Sequence, residues 1–85
     1  MAFEIRIKPL VLFDLEDRIK FQEYKSSGAG RELYRNFLAT LNDLQQLHPD
    51  ETPIYEQVHK FITAKLPCEL FYIIKDETIF VMGLL

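Results

Sequence analysis

The chain begins with a strict alternation of apolar and charged residues that runs from Phe3 to Lys8. A repeat of two residues is typical of a β-strand with one buried face. Pro9 ends this strand and is well suited to the first turn of a helix. The pattern then predicts a helix from about Leu10 to Lys25. Its predicted buried face carries Leu12, Leu15 and Ile19, and is widened by Phe21 and Tyr24.

A second helix is predicted from about Ala29 to Leu47 and has the clearest periodicity in the chain. Apolar residues recur on one face at spacings of four, four and three: Leu33, Phe37, Leu41 and Leu44. Tyr34 and Leu38 add a second apolar row. The break between the two helices contains Gly28, which can adopt the left-handed conformation that ends a helix. So short a connection predicts an antiparallel helical hairpin.

Three further strands are predicted after a polar loop from His48 to Pro53. The first spans about Gln57 to Lys65 and alternates imperfectly. The other two, Leu70–Ile74 and Ile79–Leu85, are short runs rich in aromatic and β-branched residues, which indicates paired strands. The polar break between them, residues 75–78, is short enough for a tight antiparallel hairpin, although it contains neither Asn-Gly nor Asp-Gly.

These elements predict an α+β fold in one domain, residues 1–85, with the order β-α-α-β-β-β. The helical hairpin is expected to cover one face of a small antiparallel sheet. The other face would carry Phe71 and Ile73. Alternation in the last strand adds either Ile79 and Val81 or Phe80 and Met82, and the second pair is our candidate. Strands that are apolar on both faces require cover on both sides, so we expect another polypeptide to bind there.

Composition and charge limit the classes of function. The chain has 85 residues, 48% of them hydrophobic, and a formal net charge of −3, which argues against nucleic acid as the main ligand. Its single cysteine, Cys68, is expected to be a buried structural thiol. No zinc pattern or cofactor motif occurs, so no metal or cofactor is expected. The sequence shows no signal peptide and no membrane span, which predicts a cytoplasmic protein without membrane contact.

The order and spacing of several short motifs resemble the RelE/ParE toxin superfamily, of the plasmid stabilisation type. The first half contributes Phe21-x-x-Tyr24, Gly28-Ala29-Gly30 and a helix that ends at His48-Pro49. The second half contributes Val58-His59-Lys60-Phe61, then Lys65-Leu66-Pro67 leading to Leu70-Phe71-Tyr72, and a final strand Thr78-Ile79-Phe80-Val81-Met82. The resemblance extends over nearly the whole chain, and no single motif is specific by itself.

The resemblance implies a bacterial type II toxin that a cognate antitoxin neutralises by wrapping a segment around it. ParE-like members poison DNA gyrase by protein binding, whereas RelE-like members cleave mRNA on the ribosome. Family members usually continue beyond the last strand with a basic or histidine-containing tail, which a sequence ending at Leu85 does not show. A folded, partner-binding but non-toxic member is therefore a third interpretation. A homodimer is a further expectation, because the uncovered face should drive association.

Candidate catalytic residues are few. RNA cleavage requires a base, an acid and cations, and His59, Lys60 and Lys65 are the local candidates. Alternation places Lys60 on the opposite strand face from the other two, which favours a polar edge residue and solvated lysines over catalysis. Enzymatic activity thus stays open, with protein binding favoured. Arg31 and Arg35, one turn apart on the second helix, form a small basic patch that is a candidate for partner binding.

Overall fold

The computed structural model describes residues 3–46 and 58–85. Two helices pack with four strands in the predicted order, which confirms the α+β class. The elements are β1 (Glu4–Ile7), α1 (Pro9–Lys25), α2 (Ala29–Gln46), β2 (His59–Phe61), β3 (Leu70–Lys75) and β4 (Thr78–Leu84). Three predicted features lie outside the described residues: the loop His48–Pro53, the last residue of the predicted second helix, Leu47, and the first residue of the predicted second strand, Gln57.

The four strands form one sheet in the order β1-β4-β3-β2. Strands β2, β3 and β4 are antiparallel as predicted, but β1 runs parallel to β4, so the sheet is mixed and the expectation of a purely antiparallel sheet is wrong at this edge. Backbone bonds hold β1 in place, from the amide of Glu4 to the carbonyl of Glu77 at 3.1 Å and from Lys8 to Val81 at 3.1 Å. Alternation along β1 is the same for either strand direction, so the sequence could not reveal the direction.

Strand β2 is shorter than predicted. The pattern gave Gln57–Lys65, whereas the strand comprises only His59–Phe61. Beyond it the chain turns at Thr63: the Leu66 amide donates to the Thr63 carbonyl at 3.3 Å, and the Lys65 amide donates to the Thr63 hydroxyl at 3.3 Å. The hydrogen bond to the Thr63 side chain thus replaces a bond that the Lys65 amide would make to a neighbouring strand if β2 continued.

A two-residue turn joins β3 to β4. Asp76 and Glu77 both have positive φ, at 52° and 61°. Positive φ at both central residues is typical of a type I′ turn, whose twist matches that of the flanking strands. Type I′ turns strongly prefer Gly at the second central position, which Glu77 occupies here. The predicted hairpin is therefore confirmed, and Glu77 bears a left-handed backbone conformation that glycine would adopt without steric cost.

A β-bulge shifts the register within the hairpin. Tyr72 pairs with Val81 but Phe71 pairs with Gly83, so Met82 is an extra residue on β4. Because of this insertion Leu84, rather than Gly83, lies opposite Leu70. Leu70 is completely buried and Leu84 is 9% exposed, so the bulge places a leucine where the core needs one.

The hydrophobic core lies between the helices and one face of the sheet. Its fully buried strand residues are Leu70, Tyr72, Ile79 and Val81. On α2 the predicted face is largely confirmed: Leu33, Phe37 and Leu44 are buried and Leu41 is half-buried. The second row proposed there, Tyr34 and Leu38, is exposed instead.

The buried face of α1 differs from the predicted one. Val11 and Leu15 are buried, whereas Leu12, Phe21 and Tyr24 are exposed, the last at 91%. Leu15 and the half-buried Ile19 are thus confirmed on the core side, and Val11 takes the place predicted for Leu12. Apolar residues occur all around α1, so periodicity alone could not identify the side that packs on the core.

The two helices approach each other closely at their connection. Gly30 is buried, and a Cβ at this position would lie 2.8 Å from the backbone oxygen of Ile19. The Glu23 carboxylate accepts hydrogen bonds from the amides of Gly28 and Gly30 at 3.0 Å, which lowers the pKa of Glu23. Gly28 has the predicted positive φ, 88°, but α1 already ends at Lys25 with Ser26 as its C-cap, so Gly28 lies just before α2 instead of closing α1. An α1 carboxylate thus caps the N-terminus of α2.

Substituting Gly30→Ala should destabilise the fold by about 1–2 kcal/mol, because overpacking at the helix crossing exceeds the gain in helix propensity. The change in free energy of unfolding can be measured by urea denaturation. Gly83→Ala is the matched control, since a Cβ there meets no atom within 4 Å. Unchanged stability of the Gly30→Ala variant would contradict the close approach.

Substituting Glu77→Gly should stabilise the protein by about 1 kcal/mol, because it removes the left-handed strain of a residue that has a Cβ. Thermal unfolding measures the effect. Glu77→Ala is the control: it removes the same charge but keeps the Cβ, so no comparable gain is expected. An equal gain in both variants would assign the effect to charge and contradict the turn geometry.

Candidate functional site

The face of the sheet opposite the helices is the first candidate site. Ile73 pairs with Phe80 across β3 and β4, and both alternate with residues that point into the core. Because Phe71, Ile73 and Phe80 alternate with buried core residues, these three half-buried side chains lie on the face away from the helices. We call this side of the sheet the open face, because both helices of the described chain pack on the other side. The alternative set from the last strand, Ile79 and Val81, belongs to the core.

Charged residues border the open face on both edge strands. On β1, the Arg6 guanidinium lies 2.8 Å from the Glu4 carboxylate. On β2, the Lys60 ammonium lies 3.8 Å from Glu69, and Lys60 pairs in register with Phe71. The two central strands supply the apolar residues, and the two edge strands supply ion pairs. An apolar centre with a polar rim is the usual anatomy of a protein–protein interface.

Gly83 leaves a notch in the open face. It lies opposite Phe71, and within the described structure a Cβ added there would meet no atom within 4 Å. Sequence reasoning did not identify this residue, because its position depends on the bulge at Met82. A group that binds the sheet can therefore approach the backbone at Gly83 without meeting a side chain of that residue.

The remaining partner-binding candidates do not join this surface. Arg31 and Arg35 are exposed on α2, on the side away from the buried residues Leu33 and Phe37, so they belong to the helical layer. Met82 is half-buried within the bulge. The candidates therefore fall on two separate surfaces, of which only the sheet surface is apolar at its centre.

The three catalytic candidates are not brought together. The His59 ring stacks on Tyr72 at 5.1 Å between centroids, on the helix side of the sheet, and its buried Nδ1 has no hydrogen-bond partner among the described residues. Lys60 lies on the open face. Lys65 lies in the turn after β2 and contacts Asp43 of α2 at 2.6 Å. General acid–base cleavage requires a base, an acid and a cation at one reacting position, and His59, Lys60 and Lys65 do not converge on one.

A cleft of about 340 Å³ lies between α1 and the segment that leads into β3. Arg18 and Cys68 are part of its lining. The Arg18 guanidinium already forms an ion pair with Asp14 at 3.0 Å. Burial raises the pKa of the Cys68 thiol, which is 7% exposed, so the sulfur is protonated at neutral pH and is a poor nucleophile. The cleft contains no activated group, in agreement with a structural role for Cys68.

The described residues contain neither a metal-binding cluster nor a membrane-spanning helix. No three His, Cys, Asp or Glu side chains within residues 3–46 and 58–85 come close enough together to hold a metal ion. Neither α1 nor α2 has the length and apolarity that a helix needs to cross a bilayer.

Comparison with known proteins finds no matching family model, no matching curated protein and no matching solved structure. The resemblance to the RelE/ParE superfamily consequently stays a prediction that rests on the order of residues and motifs in this chain. Among the described surfaces, the open face, with its ion pairs at the rim and its notch at Gly83, has the features of a binding surface.

Proposed function

We propose that the chain binds another protein through the open face of its sheet, and that it does so as the ParE-like toxin of a bacterial type II toxin–antitoxin system. The observation that carries the proposal is the apolar centre formed by Phe71, Ile73 and Phe80, over which neither helix packs. A domain of this size buries only a modest fraction of its surface and is therefore marginally stable. A partner that covers the apolar centre binds only the folded state and so stabilises it.

The natural occupant of this surface is a segment of the cognate antitoxin. Its apolar side chains would cover Phe80 and Ile73, and one of them would enter the notch at Gly83. The rim contains both signs of charge, with Arg6 and Lys60 beside Glu4 and Glu69. A partner segment with interspersed acidic and basic residues complements this rim better than a uniformly charged polymer does.

Action by protein binding, with DNA gyrase as the target, is favoured over ribosome-dependent mRNA cleavage. His59 and Lys60 lie on opposite faces of β2, and Lys65 is engaged by Asp43. The formal net charge of −3 also opposes entry into a phosphate-rich site. These observations support a toxin that acts by occupying a protein surface.

Expression of the chain alone in a bacterial host tests the proposal. The expected result is growth arrest with a DNA-damage response and intact messages, and recovery when the neighbouring gene product is co-expressed. Messages cleaved on the ribosome would instead support the RelE-like activity. Normal growth would contradict toxicity and support the non-toxic interpretation.

Binding variants locate the surface. Ile73→Lys should weaken binding of the purified neighbouring gene product at least about tenfold, because it places a charge in the apolar centre. Phe13→Lys is the control: it also puts a lysine in place of a large apolar side chain, but Phe13 is exposed on α1 and its replacement should not affect this binding. Isothermal titration calorimetry measures both. Equal weakening by the two variants would contradict binding at the open face.

A further inference from the structure

A second cleft, of about 360 Å³, lies at the end of the sheet where β3 begins and β4 ends. We call it the end groove, and its lining consists of Ile62, Leu66, Pro67, Cys68, Glu69 and Leu85. Leu66 and Cys68 are buried and form its floor. Ile62 and Leu85 are 65% and 75% exposed, so the end groove presents large aliphatic side chains to solvent.

Two lining residues of the end groove, Glu69 and Leu85, belong to the open face of the sheet. The Leu85 amide donates to the Glu69 carbonyl at 2.9 Å. These two residues thus extend the β3–β4 ladder by one step beyond Leu70 and Leu84, which pair with each other and are buried in the core. Because side chains alternate along a strand, Glu69 and Leu85 point to the side opposite the core.

Gly83 connects the end groove to the apolar centre of the open face. It pairs with Phe71 and lies between Phe80 and Leu85 along β4. Within the described structure a Cβ added at Gly83 meets no atom within 4 Å, so no side chain at this position separates the centre from the groove. The apolar centre, the notch and the end groove are therefore one continuous surface.

The lining of the end groove offers no unpaired charge to a bound group. The Glu69 carboxylate lies 3.8 Å from the Lys60 ammonium, and both side chains are about one-third exposed. Burial raises the pKa of the Cys68 thiol, so this group is neutral at neutral pH. A charged group that entered the groove would lose water without gaining a partner, so the lining favours an uncharged apolar group.

We propose that the end groove binds one large apolar side chain of the same partner segment that covers the open face. The identity of the partner rests on the proposed function, whereas the chemistry of the groove does not. Four residues of chain separate Ile73 in the apolar centre from Glu69 at the groove, which corresponds to about 13 Å along a strand. The partner segment therefore carries two apolar side chains about 13 Å apart, one over Ile73 and one in the end groove, with the notch at Gly83 between them.

An NMR titration of the full chain with N-acetyltryptophanamide tests the groove without the partner, because this neutral probe presents one large aromatic side chain. We expect saturable chemical-shift changes at the backbone amides of Ile62, Glu69 and Leu85. Leu85→Ser should weaken probe binding at least about fivefold, because it removes one wall of the groove. Leu10→Ser is the matched control, since Leu10 is similarly exposed, at 71%, but lies on α1.

Binding of the purified neighbouring gene product, measured by isothermal titration calorimetry, tests whether the partner extends from the apolar centre into the groove. Leu85→Ser should raise its dissociation constant at least about tenfold. Gly83→Leu should do the same, because the added side chain fills the notch over which the partner passes. The free probe enters the groove from solvent, so Gly83→Leu should leave probe binding unchanged. Thermal unfolding of each variant verifies that its fold is intact.

The two measurements separate the end groove from the proposed function. A probe that binds at the groove, together with a neighbouring gene product that does not bind the chain at all, would contradict the proposed partner and support the groove. Absence of saturable shifts at the groove amides, or equal weakening of probe binding by Leu85→Ser and Leu10→Ser, would overturn the groove as a binding site. A neighbouring gene product that binds Leu85→Ser and Gly83→Leu as tightly as the original chain would confine the partner to the apolar centre and overturn its extension into the groove.

Discussion

The whole structure depends on one constraint: a hairpin of two helices can cover only one face of a four-stranded sheet. That covered face is sealed by Leu70, Tyr72, Ile79 and Val81, none of them more than 1% exposed, beneath side chains such as Phe37. Strands β3 and β4 are nevertheless apolar on both sides. The same hairpin that makes the core therefore leaves apolar side chains on the other face, and a partner surface follows from the fold itself.

Local features adjust this arrangement without changing it. The bulge at Met82 brings Leu84 into the core and leaves Gly83 on the open face. Gly30 lets α1 and α2 approach each other, and the Gln45 side chain, which donates to the Phe3 carbonyl at 2.6 Å, joins the end of α2 to the start of the chain. Each feature uses a small or polar residue where a large apolar one would disturb the packing.

The sequence predicted what depends on local periodicity and missed what depends on contacts between distant residues. The buried face of α2 was predictable because its apolar residues occupy one side. The face of α1 was not, because apolar residues occur on both sides of this helix and several of them stay exposed. The parallel pairing of β1 and the notch at Gly83 depend on register, which alternation does not determine. Phe71, Ile73 and Phe80 could be proposed for the open face because their strands lack a polar side, whereas the ion pairs of the rim required the strand order.

One face of the sheet is sealed by the helices, and the other is accessible to a partner. Native-state thiol labelling of variants that each carry one introduced cysteine measures both faces, with the buried Cys68 of every variant as a slow internal reference. The account predicts rapid labelling of Ile73→Cys and slow labelling of Ile79→Cys, limited by unfolding. Equally slow labelling of both positions in the isolated chain would mean that the open face is already covered, and would contradict the account.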